Sequence, residues 1–240
     1  MISNFSYHPA VVAKFPGICA GVVVAHGLQC SDAQWSHLAD VLKREQESVL
    51  RRLGDKPLAD LPSIAAWRRA FASLGVKPTK YRNAAEALLR RLTKQGELPS
   101  VNPLVDIGNL ISIRYALPVA VFDTKHLSNP VVVRFADGSE TFFDLGADEM
   151  SHPEAGEVVF VDRQNTVIAR RWCWRQSVSS AAHGQSEEIL MTVEGQHDSA
   201  RDDCQAALGD LLGWLHRFYT GTIHYGLLSA QRPDFEPNSE

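Results

Sequence analysis

Three short stretches gather residue types that could do chemistry. In Pro78-Thr79-Lys80-Tyr81-Arg82, just ahead of a predicted helix, Lys80 and Arg82 could hold a phosphate together with the helix N-terminal amides. A helix-entry loop with Tyr81 packed inward accounts for the same residues. In the stretch 98–109, Asp106 and Asn109 lie three apart on a helix starting near Asn102, so they share a face. Polar groups on an apolar face need partners, so these two either cap neighbouring backbone or line a pocket. The third stretch is Arg170-Arg171-Trp172-Cys173-Trp174-Arg175. Read as a strand, it sends Arg171, Cys173 and Arg175 to one side and Arg170, Trp172 and Trp174 to the other. That alternation suits stacking on bases and pairing with phosphates, or tryptophans in a core with arginines reaching solvent. Half of such a strand faces away from the core, so Arg171, Trp172 and Arg175 are expected to serve a cleft or an RNA surface.

The common catalytic signatures are absent. There is no GxSxG, HExxH, Walker or GxGxxG pattern, so a covalent serine or cysteine nucleophile has no support from motifs. Nine histidines and four cysteines (Cys19, Cys30, Cys173, Cys204) are scattered, with no CxxC pair. Neither a metal site, a cofactor nor a disulfide is expected, and a reducing cytosol fits this usage. The opening MISNFSYHPAVVAKF lacks the apolar core of a signal peptide. The longest apolar run, residues 18–25, falls short of the ~20 a membrane helix needs. A cytoplasmic protein without a membrane partner is the expectation.

The elements that must position these groups follow from periodicity. A chain of 240 residues with 45% hydrophobic and 22% charged residues fits one domain, 1–240. Residues 18–25 read as a buried strand. Ser31, with Gln34 three residues on, opens a long helix that Gly54 ends. Further helices are predicted over 63–74, 83–94 and 103–115, the last with proline in its first turn. Strands follow at 119–122 and 131–135. Ala136-Asp137-Gly138 is read as a hairpin turn that returns through 141–143. A second hairpin joins 157–161 to 166–174, another strand spans 189–193, and a helix runs over 200–218. Residues 231–240 read as a frayed tail. Helices first and strands after them indicate an α+β fold, with N-terminal helices on a largely antiparallel sheet.

The net charge of −4 conceals an asymmetry. Residues 51–94 carry 11 Lys/Arg against Asp55, Asp60 and Glu86, a local +8 on a body that totals −12. Such a segment is either a polyanion-binding face or a set of solvated helix surfaces. Arg90 and Arg91 lie on its outward face.

The ordered motifs resemble a family. Residues 101–123, VNPLVDIGNLISIRYALPVAVFD, are similar to the B3/B4 domain, the tRNA-binding and editing module of the phenylalanyl-tRNA synthetase beta subunit. Val131 to Ala136 and Phe143-Asp144-Leu145-Gly146 follow in the family's order. The segments Pro-Thr-Lys-Tyr-Arg, Arg-Arg-Trp-x-Trp-Arg and Thr192-Val193-Glu194-Gly195 resemble its stand-alone members. The resemblance implies a B3/B4-like fold with a cleft between helices and sheet, which in synthetases hydrolyses mischarged tyrosyl-tRNA. It carries Asn109 onto an asparagine of that cleft and Glu194 onto the glutamate that reads the substrate hydroxyl. The two are therefore expected as the catalytic pair. The acceptor end of tRNA is the expected partner, bound by Lys80, Tyr81, Arg82, Arg90, Arg91, Arg171, Trp172 and Arg175. One position departs: the family's cleft histidine falls on Ala120. Hydrolysis of mischarged tRNA in trans, tRNA binding without catalysis, and binding of free amino acids all remain open at this point. Aminoacylation is not expected, because a synthetase core is absent.

Overall fold

A computed structural model describes residues 4–30, 32–145 and 149–236, with backbone only for 32–36. The predicted Ser31 cap lies outside the described residues. The chain opens with β1 (Phe5–Tyr7), α1 (Pro9–Lys14) and β2 (Cys19–Gln29), then α2 (Asp32–Leu53), α3 (Pro62–Ser73), α4 (Ala84–Gln95) and α5 (Pro103–Tyr115). The strands β3 (Val119–Asp123), β4 (Val131–Phe135), β5 (Phe142–Phe143), β6 (Met150–Ser151), β7 (Val158–Val161), β8 (Val167–Arg170), β9 (Arg175–Gln176) and β10 (Ile189–Gly195) follow. Then α6 (Ala200–Phe218) and β11 (Thr220–Ser229) close the chain. The fold is α+β, as the segregation of periods predicted.

Helix ends explain the helix boundaries. Proline occupies the first turn of α3 and α5, where its missing N–H costs nothing. The Asn83 and Asn102 side chains accept from the amides of Glu86 and Val105, starting α4 and α5. Gly54 stops α2 with φ of 51°, a left-handed geometry cheap only for glycine.

Two larger sheets and a two-stranded β5-β6 ribbon form among the described residues, where one sheet was expected. The four-stranded sheet has the order β11-β2-β10-β3 and is wholly antiparallel. The five-stranded sheet has the order β1-β4-β7-β8-β9, antiparallel except for the β1/β4 pair. Strand periodicity divides the core between them. Val23, Ala25, Met191 and Val193 meet Leu42, Leu89, Ile107 and Leu208 from the helical layer of α2, α4, α5 and α6. On the opposite face, Val22, Val24, Leu190 and Phe122 meet Tyr7, Val133, Val158 and Phe160 of the second sheet, with Trp67 and Phe71 of α3. The central strands β2 and β10 are therefore buried on both sides, hence the apolar run that opens β2, whereas β10 also buries Thr192 and Glu194.

Three further expectations need correction. Residues 137–138 do not turn a hairpin, because β4 pairs with β1 and β7 while β5 pairs with β6. The buried Glu140 carboxylate instead gathers the amides of Asp137 and Gly138 and the Arg134 guanidinium, and so ends β4. The strand predicted over 166–174 stops at Arg170, where the backbone turns to send Trp172 inward. Residues 231–236 are pinned beside β1: Tyr7 N–H donates to Pro233 O at 3.0 Å, and Phe235 N–H to Phe5 O at 2.8 Å. The Phe235 ring lies over Gly226, where any side chain would crowd it. Phe235→Ala should therefore cost about 3 kcal/mol in urea denaturation. A loss below about 0.5 kcal/mol would show that the segment is dispensable.

Candidate functional site

Glu194 stands at the meeting of the two sheets. On β10 its neighbours two and four residues away, Thr192 and Leu190, share its direction, away from the helices. It is 1% exposed. Two donors from the second sheet meet its Oε1: the Tyr7 hydroxyl, in a short hydrogen bond, and Trp172 Nε1 at 2.8 Å. No arginine pairs with it among the described residues; Arg170 holds Glu157 through two bonds and Arg175 holds Asp144. Burial in apolar surroundings pushes the Glu194 carboxyl up to about 7, against the opposing pull of the Tyr7 and Trp172 hydrogen bonds. Burial and the neighbouring carboxylate together drive the Tyr7 phenol well above its ordinary range.

Delivering Trp172 to this carboxyl is what ends β8. Arg170 pairs with Arg175 across the hairpin β8-β9, which leaves Arg171 to Trp174 as its loop. Arg171 and Trp172 both take positive φ, 44° and 63°, conformations that cost non-glycine residues ~1–3 kcal/mol each. The returns are visible. Trp172 is fully buried, edge-on to Trp67 at 5.1 Å and to Phe15 at 5.0 Å. The Arg171 guanidinium lies 3.1 Å from Glu157 and 4.0 Å from the Tyr81 ring centre. Tyr81 in turn meets Trp174 edge-on at 4.8 Å.

A cavity of about 190 Å³ opens beside Glu194. Its apolar wall includes Val119, Ala120, Phe122, Phe160 and Trp172; Gln176, Trp174 and Arg175 complete one side. Tyr7 and Trp172 both serve Oε1, and among the described residues no hydrogen bond to the other carboxylate oxygen is found. A second, open hollow of about 410 Å³ adjoins it and shares Trp174 and Arg175. Lys80, Arg82, Arg90, Arg91 and Lys94 line that groove, and no acidic residue among the described residues does.

The structure therefore sorts the predicted residues. Lys80, Arg82, Arg90, Arg91 and Arg175 come together along the groove, and Glu194 and Trp172 meet at the cavity. Tyr81 and Arg171 buttress Trp174 from behind. Trp172 is a core residue as well as a wall of the cavity, so the expected outward face of a continuous strand does not exist. Asn109 is half-buried on α5 and is not among the residues lining the Glu194 cavity. Its neighbour Asp106 caps backbone, accepting from Val101 N–H at 2.8 Å and from the Ser100 hydroxyl. The α4 terminus is also spoken for, since its first turn holds buried Glu86 against Arg68 at 2.8 Å. Sequence reasoning missed Tyr7, whose three-residue strand gives too little pattern to read, and Trp174, which the assumed alternation had paired with Trp172.

The B3/4 domain family matches residues 66–207, and this chain belongs to that family, the one its ordered motifs indicated. The chain is 27% identical over 92 residues to the phenylalanine–tRNA ligase beta subunit of Pectobacterium atrosepticum, covering 38% of this chain and 11% of that one. The corresponding subunit of Shewanella oneidensis is 24% identical over 94 residues, covering 39% of this chain and 12% of that one. The chain thus spans only a small part of the length of these two relatives. A Bacillus subtilis protein, YhzB, is 20% identical over 163 residues, covering 64% of this chain and 78% of that one. An N-terminal fragment of the phenylalanyl-tRNA synthetase beta subunit from Pyrococcus horikoshii aligns with 93% of this chain and 50% of its own, at a TM-score of 0.47 and 12% identity. Glu194 and Trp172 fall inside the family match, whereas β1 with Tyr7, β2 and β11 fall outside it.

Titration of Glu194 has a calculable effect on stability. Its folded value lies above its ordinary value of 4.5, so between pH 4.5 and about 7 the folded state keeps a proton that the unfolded chain has lost. Its contribution is greatest below that window and falls as pH rises through it. Relative to Glu194→Gln, the wild type should lose about 3 kcal/mol of stability across the window. A constant difference between the two proteins from pH 4.5 to 7 would show that Glu194 titrates as an exposed carboxyl does.

Proposed function

We propose that this chain is a trans-acting deacylase that hydrolyses the ester of a mischarged tRNA. The observation that carries the reading is the contiguity of a small cavity, walled by apolar groups around one buried carboxyl, with a groove lined by five cations from Lys80 to Lys94. The groove suits the phosphates of an acceptor stem, and the cavity suits an aminoacyl group reaching in from the 3′ end. Similarity to phenylalanine–tRNA ligase beta subunits and membership of the B3/4 family support tRNA as the polyanion.

The chemistry asks little of the protein. An aminoacyl ester is already activated. Water adds to its carbonyl carbon, the carbon–oxygen bond to the ribose breaks, and the ribose oxygen takes a proton. The amino acid is released from intact tRNA. Placing water and ester together supplies much of the acceleration. Glu194 is the reading group: its open oxygen accepts from a donor on the amino-acid side chain or from the ammonium, and an analogue lacking that donor leaves a buried acceptor unpaired. No histidine or serine lines the cavity among the described residues, and Ala120 occupies part of its wall. That observation favours a second reading, tRNA binding without ester cleavage.

Purified protein incubated with a panel of mischarged tRNAs separates the two. Faster ester loss than in buffer for at least one aminoacyl group is the expected result; salt-sensitive binding with no ester loss selects the second reading. Glu194→Ala should flatten the differences between aminoacyl groups and leave tRNA affinity within about twofold. Arg90→Glu with Arg91→Glu should weaken binding across tRNA species and reduce the slope of log K against log salt, by ~0.7–0.9 for each phosphate no longer neutralised. Binding equal to wild type at low salt would remove the groove from the RNA surface.

A further inference from the structure

Trp174 occupies an unusual place. It is half-buried and, with Arg175, contributes to the wall of both the apolar cavity and the cationic groove, so it stands where a group joining an occupant of one to an occupant of the other would run. Its setting is rigid. Tyr81 abuts it edge-on at 4.8 Å, and the Arg171 guanidinium sits 5.0 Å from its ring centre. Arg171 is only 9% exposed, fixed by Glu157 and by the left-handed turn that also buries Trp172. The remaining partner is of another kind. Arg175 also places its guanidinium 5.0 Å from the Trp174 ring, but its side chain is 44% exposed and its ion pair with Asp144 is at the surface. A guanidinium over an indole shows that the ring accepts a cationic, polarisable partner, and an exposed arginine there can yield to a flat group or add to the stack at little cost.

We propose that Trp174 is the stacking platform for a nucleobase, the terminal base of a single-stranded 3′ end, with Arg175 turning to the adjacent phosphate. The inference rests on the reading of the groove as an RNA surface, and it adds a subsite which that reading does not require. Stacking on an aromatic side chain is tolerant of base identity, so the platform reads the presence of a base and not which base it is. The base held there sets the distance between the stem in the groove and the ester at the cavity.

The test is the affinity of the full-length protein for two RNA hairpins with a four-nucleotide 3′ overhang, one intact and one abasic at the last nucleotide. Wild type should bind the intact RNA about tenfold more tightly than the abasic one. Trp174→Ala should lose that preference and bind both as wild type binds the abasic RNA, whereas Trp174→Phe should keep a measurable part of it. Thermal unfolding of each variant shows whether it is folded at the assay temperature, and the phenylalanine variant decides the matter if the alanine variant is not. Equal loss by Trp174→Ala for both RNAs, or no loss for either, overturns the platform while the groove reading stands. Failure of wild type to bind either hairpin overturns both.

Discussion

A carboxyl buried where two sheets meet dictates much of this architecture. Left alone, an ionised Glu194 would be expensive to hold in that position. The fold answers with two donors from opposite ends of the second sheet, Tyr7 from the edge strand and Trp172 from the β8-β9 loop. Much that is otherwise odd serves these two deliveries. β1 lies parallel beside β4, and residues 233–235 bind along it to keep it in register. The β8-β9 hairpin accepts two left-handed non-glycine residues so that an indole can reach inward.

The same loop links inside to outside. Its first residues serve the core, Arg171 against Glu157 and Trp172 against Glu194, and its last residue, Trp174, borders the cationic groove. Four consecutive side chains thus tie the orientation of the buried carboxyl to the shape of the surface. Apart from Arg175 on β9, the groove's cations come from the α3–α4 connection and from α4, where Glu86 offsets Arg68 and Arg82 and leaves Arg90, Arg91 and Lys94 facing outward. The local +8 of residues 51–94 is therefore partly structural and partly a surface. Arg52 illustrates the structural share, donating to the carbonyls of Ile113 and Arg114 near the end of α5.

Legibility follows the strength of local pattern. α5 and α6 are legible to their ends because proline, asparagine and long apolar periods specify them. β2 is visible as an apolar run because both its faces are buried, and β10 is visible through its mostly apolar stretch Ile189 to Val193. The split into two sheets is not visible, since pairing is a long-range property and β1 and β9 are too short to carry a signal. Asp137-Gly138 has hairpin composition, but the carboxylate of Glu140 captures those amides. Glu194 is a site candidate through family resemblance, and burial gives it a physical basis. Asn109 comes the same way, and on α5 it is not among the residues lining the Glu194 cavity. Tyr7 is out of reach of local pattern, because its partner is 187 residues away.

Everything built around the cavity requires Glu194 to be a buried, ligand-reading carboxyl that titrates near neutrality. Carbon-13 NMR titration of the full chain, with Glu194→Gln for assignment, measures this with and without a non-hydrolysable aminoacyl-nucleoside analogue. The expected result is a carboxyl with an apparent pKa of about 7 that moves when the analogue binds. A Glu194 carboxyl titrating near its ordinary 4.5, or one indifferent to saturating analogue, would contradict it.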